Sequence, residues 1–152
     1  MNLIQWAARH AVSDDALDEL KRQVFGMFPD AEVSGHSSEA EVQAHARLLA
    51  SKRGDRLWRN NIGAGTLESG SFVRFGLAND SATLNAQLKS SDLIGIEHGT
   101  GRFLSFECKR PGWRYTGTPR EVAQLQWIGL VTSLGGRARF ITNPEQMYLK
   151  WA

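Results

Sequence analysis

The segment from Ser91 to Lys109 constrains this chain more than any other. Two apolar-rich runs, Ser91-Asp92-Leu93-Ile94-Gly95-Ile96 and Phe103-Leu104-Ser105-Phe106-Glu107-Cys108-Lys109, flank His98-Gly99-Thr100-Gly101, whose glycines mark a hairpin turn. The turn is centred between Gly99 and Thr100, and the pair Asp92 and Glu107 has the same centre. A symmetric antiparallel hairpin closed there sets Asp92 opposite Glu107, with Cβ atoms about 5 Å apart. Two carboxylates at that separation can share one divalent cation. Alternation along the strand puts Lys109 on the face of Glu107. An acid pair beside a cation suits metal-assisted attack of water on a phosphodiester. A bulge would shift the register by one residue and undo the pairing.

A chain of 152 residues suits one domain with a real core. Nothing approaches the roughly 18 consecutive apolar residues of a membrane helix, and the start, Met1-Asn2-Leu3-Ile4-Gln5-Trp6, does not read as a secretory signal. The single cysteine, Cys108, allows no internal disulfide and excludes a zinc finger built on cysteine pairs. A reducing, cytoplasmic setting is the expectation. The net charge of +2 conceals an asymmetry: residues 1–41 hold three basic and eight acidic side chains, and residues 42–152 hold 15 and 8. The basic part contains the hairpin, as a phosphate backbone would require.

Along the chain, a helix is expected over Leu3–Ala11 and a second, capped by Ser13, to about Phe25 with Leu17, Leu20, Val24 and Phe25 apolar. A loop from Phe28 to Ser37 precedes a helix from Ser38 to Lys52, ended by Gly54. Arg56–Asn60 and Phe72–Gly76 read as strands, with a flexible loop from Ile62 to Ser71 between them and an unassigned stretch after Gly76 to Lys89. After the hairpin come a basic loop, a helix from Pro119 to Leu134 ended by Gly135-Gly136, a strand over Arg137–Ile141, and a last helix from Pro144 through Trp151. This order predicts a mixed α/β domain.

Helical phase separates Glu39 from Glu41. Glu39 centres the face of Val42, Gln43, Ala46, Leu49 and Ala50, whereas Glu41 points nearly the opposite way. A carboxylate on an apolar face is costly unless a metal or basic group joins it; the alternative is that Glu39 simply favours the helix dipole. The same phase puts Gln124, and not Gln126, with Trp127, Ile128 and Val131, where a buried amide can equally be structural. The run from Lys109 to Arg120 carries Lys109, Arg110, Arg114 and Arg120 with Trp113 and Tyr115 and no acid. Such a run suits phosphate contacts and base stacking, or is a solvated loop. The four histidines lack metal-ligand spacing, and Cys108 alternates away from Glu107 into packing.

These residues resemble the VRR-NUC family, the virus-type replication-repair nucleases of the PD-(D/E)xK superfamily. The similarity runs from Ser38 to about Ile141. It takes in Glu39 with Val42-Gln43, Trp58-Arg59-Asn60-Asn61-Ile62-Gly63-Ala64, Ser91-Asp92-Leu93-Ile94-Gly95, Glu107-Cys108-Lys109-Arg110-Pro111-Gly112, Gln124 with Trp127, and Gly135-Gly136. The resemblance implies a restriction-endonuclease-like mixed sheet flanked by helices over residues 38–152, with residues 1–37 as a helical extension. It implies Mg2+ or Mn2+ held by Asp92, Glu107 and the main-chain carbonyl of Cys108. Lys109 would orient or activate water, and Glu39 and Gln124 would complete the site. One departure is Ser91, where glycine or proline often precedes the aspartate. The expected function is a bacterial or phage metal-dependent DNA endonuclease, structure-selective for branched DNA and homodimeric. Arg110, Trp113, Arg114, Tyr115 and Arg120 are expected to contact the DNA. The rival expectations are a catalytically silent nucleic-acid-binding module on the same fold and a structural subunit of a larger nuclease.

Overall fold

The computed structural model describes residues 3–25 and 38–150. In chain order the elements are α1 (Leu3–Arg9), α2 (Asp14–Phe25), α3 (Glu39–Lys52), β1 (Arg56–Arg59), β2 (Gly63–Thr66), β3 (Phe72–Phe75), α4 (Ala82–Gln87), β4 (Leu93–Ile96), β5 (Phe103–Cys108), α5 (Pro119–Ser133) and β6 (Arg137–Ile141), then a 3₁₀ helix, Pro144–Tyr148. The architecture is mixed α/β. A four-stranded sheet runs in the order β1-β4-β5-β6, with β5 and β6 parallel and the other neighbours antiparallel. A parallel pair needs a crossover, and α5 supplies it.

The register expected of the hairpin is the one observed. Leu93 faces Phe106 and Ile96 faces Phe103, so one further step outward brings Asp92 across from Glu107. The turn closes through Gly99 and Gly101, both at positive φ that suits glycine. Both faces of the sheet are covered, so β5 is buried continuously from Leu104 to Cys108. On one face α3 lays Val42, Ala46 and Ala50 against Leu104, Phe106, Cys108 and Ile141. On the other, α5 packs Trp127, Ile128 and Val131 against Ala138 and Phe140, and Leu3 and Ile4 of α1 join this layer.

Two expectations need correction, and one unassigned stretch takes a definite form. The stretch expected as a flexible loop from Ile62 to Ser71 contains a strand, since β2 pairs with β3 from Gly63↔Phe75 to Thr66↔Phe72. The unassigned stretch contains α4, capped by the Ser81 hydroxyl, which accepts from the Leu84 N–H. The last helix is a short 3₁₀ helix, and Leu149 after it is extended. The loop expected from Phe28 to Ser37, the Val24 and Phe25 side chains, and Trp151 lie outside the described residues. Among the described residues no helix is long and apolar enough to cross a membrane.

Gly95 is required by close approach, because a Cβ there would collide with the Arg56 carbonyl across the β1–β4 pair. Gly95→Ala is therefore expected to destabilise the protein by about 1–3 kcal/mol, the range for overpacking. Denaturant titration checks this, and an unchanged midpoint would contradict it.

Candidate active site

Glu107, Lys109 and Gln124 form one buried hydrogen-bonded cluster on the α5 side of the sheet. Glu107 is 1 % exposed and Gln124 2 %. Lys109 Nζ donates to Glu107 Oε1 at 2.9 Å and to Gln124 Oε1 at 3.0 Å. The Gln124 amide closes the triangle by donating its Nε2 to Glu107 Oε1. One amide thus fixes both the acid and the base, with its oxygen toward the ammonium and its nitrogen toward the carboxylate. Behind Lys109, the rings of Trp113 and Phe140 each lie 5.6 Å from Nζ, within cation–π range.

Asp92 stands half-buried at the foot of β4. Its Oδ2 accepts from the Cys108 N–H at 2.9 Å, and its carbonyl accepts from the Asn60 N–H at 2.8 Å. Asn60 also donates through Nδ2 to the Ser90 hydroxyl and the Ser91 carbonyl, both at 2.9 Å. Ser91, buried at the position of the departure noted above, is thereby tied to β1.

The acids sit where burial disfavours their charge. Desolvation, then the Asp92 carboxylate, pushes Glu107 up to about 7 against the opposing pull of Lys109. Desolvation raises Asp92, outweighing the Cys108 bond, and Glu39 adds repulsion. Among the described residues, nothing donates to Asp92 Oδ1 or Glu107 Oε2. Two charge-stressed carboxylates, each with an oxygen left over, are a donor set that fits a hard divalent cation. Among the described residues, however, no three His, Cys, Asp or Glu side chains converge to hold a metal. Glu39 is exposed at the start of α3, capped there by Ser38, so it is felt at Asp92 and Cys108 only through its charge. The expected burial of its carboxylate on the apolar face is not what the helix does. Cys108 itself is fully buried, with its thiol pushed well up by burial.

The basic loop divides into two kinds of residue. Arg110, Arg114 and Arg120 are exposed. Tyr115 is buried, and Trp113, half-buried, packs its ring against Phe140 at 4.8 Å between centroids. Their expected stacking on bases gives way to packing in the α5 layer. The loop's shape depends on Glu121, a residue the sequence reading passed over. Its carboxylate accepts from Trp113 Nε1, the Thr116 N–H and hydroxyl, and the Thr118 N–H, at 2.9–3.1 Å. Burial pushes Glu121 up, but those bonds outweigh it and hold the carboxyl below its ordinary value. The sequence signal was the Thr118-x-x-Glu121 capping box at the start of α5. Asn60, by contrast, carries no short-range signal.

Comparison with family models, with curated proteins and with solved structures found no match to this chain.

The raised pKa of Glu107 has a thermodynamic consequence. The folded protein holds that proton up to about pH 7, whereas the unfolded carboxyl releases it near 4.5. The associated stability is full below about 4.5 and is lost as pH rises through about 7. Thermal unfolding of the metal-free protein should therefore show a fall in stability across that window that Glu107→Gln removes. Identical pH profiles for the two proteins would refute the burial argument.

Proposed function

We propose that this chain is a Mg2+- or Mn2+-dependent DNA endonuclease that hydrolyses phosphodiester bonds. The observation that carries the reading is the Glu107–Lys109–Gln124 cluster beside Asp92, a buried ammonium held between a carboxylate and an amide at one end of the sheet. Lys109 supplies a fixed positive charge and a proton donor where a phosphate would meet the acids. Gln124 keeps that ammonium aimed, and the Cys108 N–H keeps Asp92 aimed. A bound divalent cation would neutralise phosphate charge and lower the pKa of water, with Asp92, Glu107 and the Cys108 carbonyl as its candidate ligands. The exposed Arg110, Arg114 and Arg120 supply phosphate contacts. The resemblance to VRR-NUC nucleases adds a restriction-endonuclease-like fold, a branched substrate and a homodimer to the proposal.

The test is cleavage of supercoiled, linear, flap and four-way-junction DNA with Mg2+, Mn2+ or EDTA. Cleavage should need the metal and favour the junction. Asp92→Asn and Glu107→Gln should lose nearly all turnover. Lys109→Met should keep metal binding and lose roughly two or more powers of ten in rate, the usual scale of acid–base and electrostatic contributions. Undiminished cleavage by these variants would refute the assignment. DNA binding without cleavage by the wild type would instead favour the silent module.

A further inference from the structure

Between α4 and the start of α5 lies a cleft of about 420 Å³ lined by Arg74, Asn85, Lys89 and Arg120, with the small side chains of Ala86 and Ala123 among them. Three cationic side chains therefore line one recess, and among the described residues none of them makes an ion pair. Like charges brought together without a counter-charge in direct contact repel, by an amount that grows as water is excluded. Lys89 registers this: burial, then the Arg120 guanidinium, holds its ammonium below the usual range.

The cleft is also organised by hydrogen bonds. Lys89 is pinned at both ends, its N–H donating to the Ala123 carbonyl at 3.1 Å and its Nζ to Asn85 Oδ1 at 2.8 Å. That second bond fixes the Asn85 amide and leaves its Nδ2 buried with no acceptor among the described residues. A buried donor without an acceptor is destabilising, and a ligand oxygen would satisfy it. Arg74 is steadied by Asn79 Oδ1 at 3.4 Å and by the Phe72 ring 5.3 Å away. The N-terminus of α5 adds nothing special, since Thr118 and Glu121 already cap it.

The recess adjoins the candidate active site, because Ala123, which lines it and accepts from the Lys89 N–H, directly precedes Gln124 on α5. The charge of Arg120 is felt by both Asp92 and Glu107, and the charge of Glu107 is felt by Lys89. A polyanionic strand with one phosphate at the acid pair would carry a neighbouring phosphate to these cations. We propose that the Arg74–Lys89–Arg120 cleft is a phosphate-binding subsite that seats a second phosphate of the nucleic-acid strand. The identity of the strand rests on the nuclease reading; the affinity for phosphate does not.

The experiment is therefore done in EDTA, where nothing is cleaved, by fluorescence anisotropy on short single-stranded oligonucleotides with either a 5′-phosphate or a 5′-hydroxyl. Lys89→Met and Arg120→Gln should each weaken binding tenfold or more and flatten the plot of log affinity against log salt by roughly 0.7, one single-strand phosphate contact. Lys89→Arg, which keeps the charge, should restore much of the affinity and so exclude misfolding as the cause. Lys52→Met, at the far end of α3, should bind as the wild type does. If the cleft takes a terminal phosphate, Lys89→Met erases the advantage of the 5′-phosphorylated strand; if it takes an internal diester, both strands weaken alike. Wild-type affinity and salt slope in both Lys89→Met and Arg120→Gln would overturn the proposal, whatever the chain does to DNA in magnesium.

Discussion

The pairing of β4 with β5 in a single register governs both the core and the candidate site. With Leu93 opposite Phe106, even-numbered residues of β5 enter the α3 layer and odd-numbered ones face α5. A slip of one residue would exchange the two sets along the moving strand, sending Glu107 and Lys109 among Val42, Ala46 and Ala50. Burying those charges against an aliphatic helix would cost far more than the slip could return. The hydrophobic pattern therefore enforces the register, and the register delivers Asp92 to the end of β5, where the Cys108 N–H meets its carboxylate. Gly95 admits the close approach of β1 that completes this edge.

A buried Glu–Lys pair is a poor way to stabilise a fold, because desolvation consumes most of the Coulombic gain. Here a third group, Gln124, and two aromatic rings hold the ammonium, yet Glu107 still sits near 7. Packing alone would be served better by apolar side chains at these positions. Local rules broken at one place, with dedicated support around it, are what functional sites look like. The same holds at lower intensity in the α4–α5 cleft, where cations line a recess without acids.

Much of this arrangement was legible in the sequence because it rests on short-range periodicity. Turn symmetry predicted the Asp92–Glu107 register, strand alternation joined Lys109 to Glu107, and helical phase chose Gln124 over Gln126. Phase put Glu39 on the side where its charge reaches Asp92 and Cys108, but in the first turn of α3 its carboxylate is exposed and not buried. Composition misjudged Trp113 and Tyr115, because an aromatic in a basic loop reads the same whether Phe140 or a base covers it. Glycine-rich β2 looked like a loop because its pairing with β3 depends on partners rather than propensity. The bonds from Asn60 to Ser90 and Ser91 and the meeting of Arg74, Lys89 and Arg120 were not legible for the same reason, since they join segments far apart in the chain.

Cation binding by the two stressed carboxylates is what the proposed function requires. Anomalous diffraction from crystals soaked in Mn2+ tests it without reference to activity. The expected result is a manganese peak beside Asp92 and Glu107 in the wild type and its loss in Asp92→Asn. A wild-type protein that binds no manganese there, or a peak that persists in the variant, would contradict it.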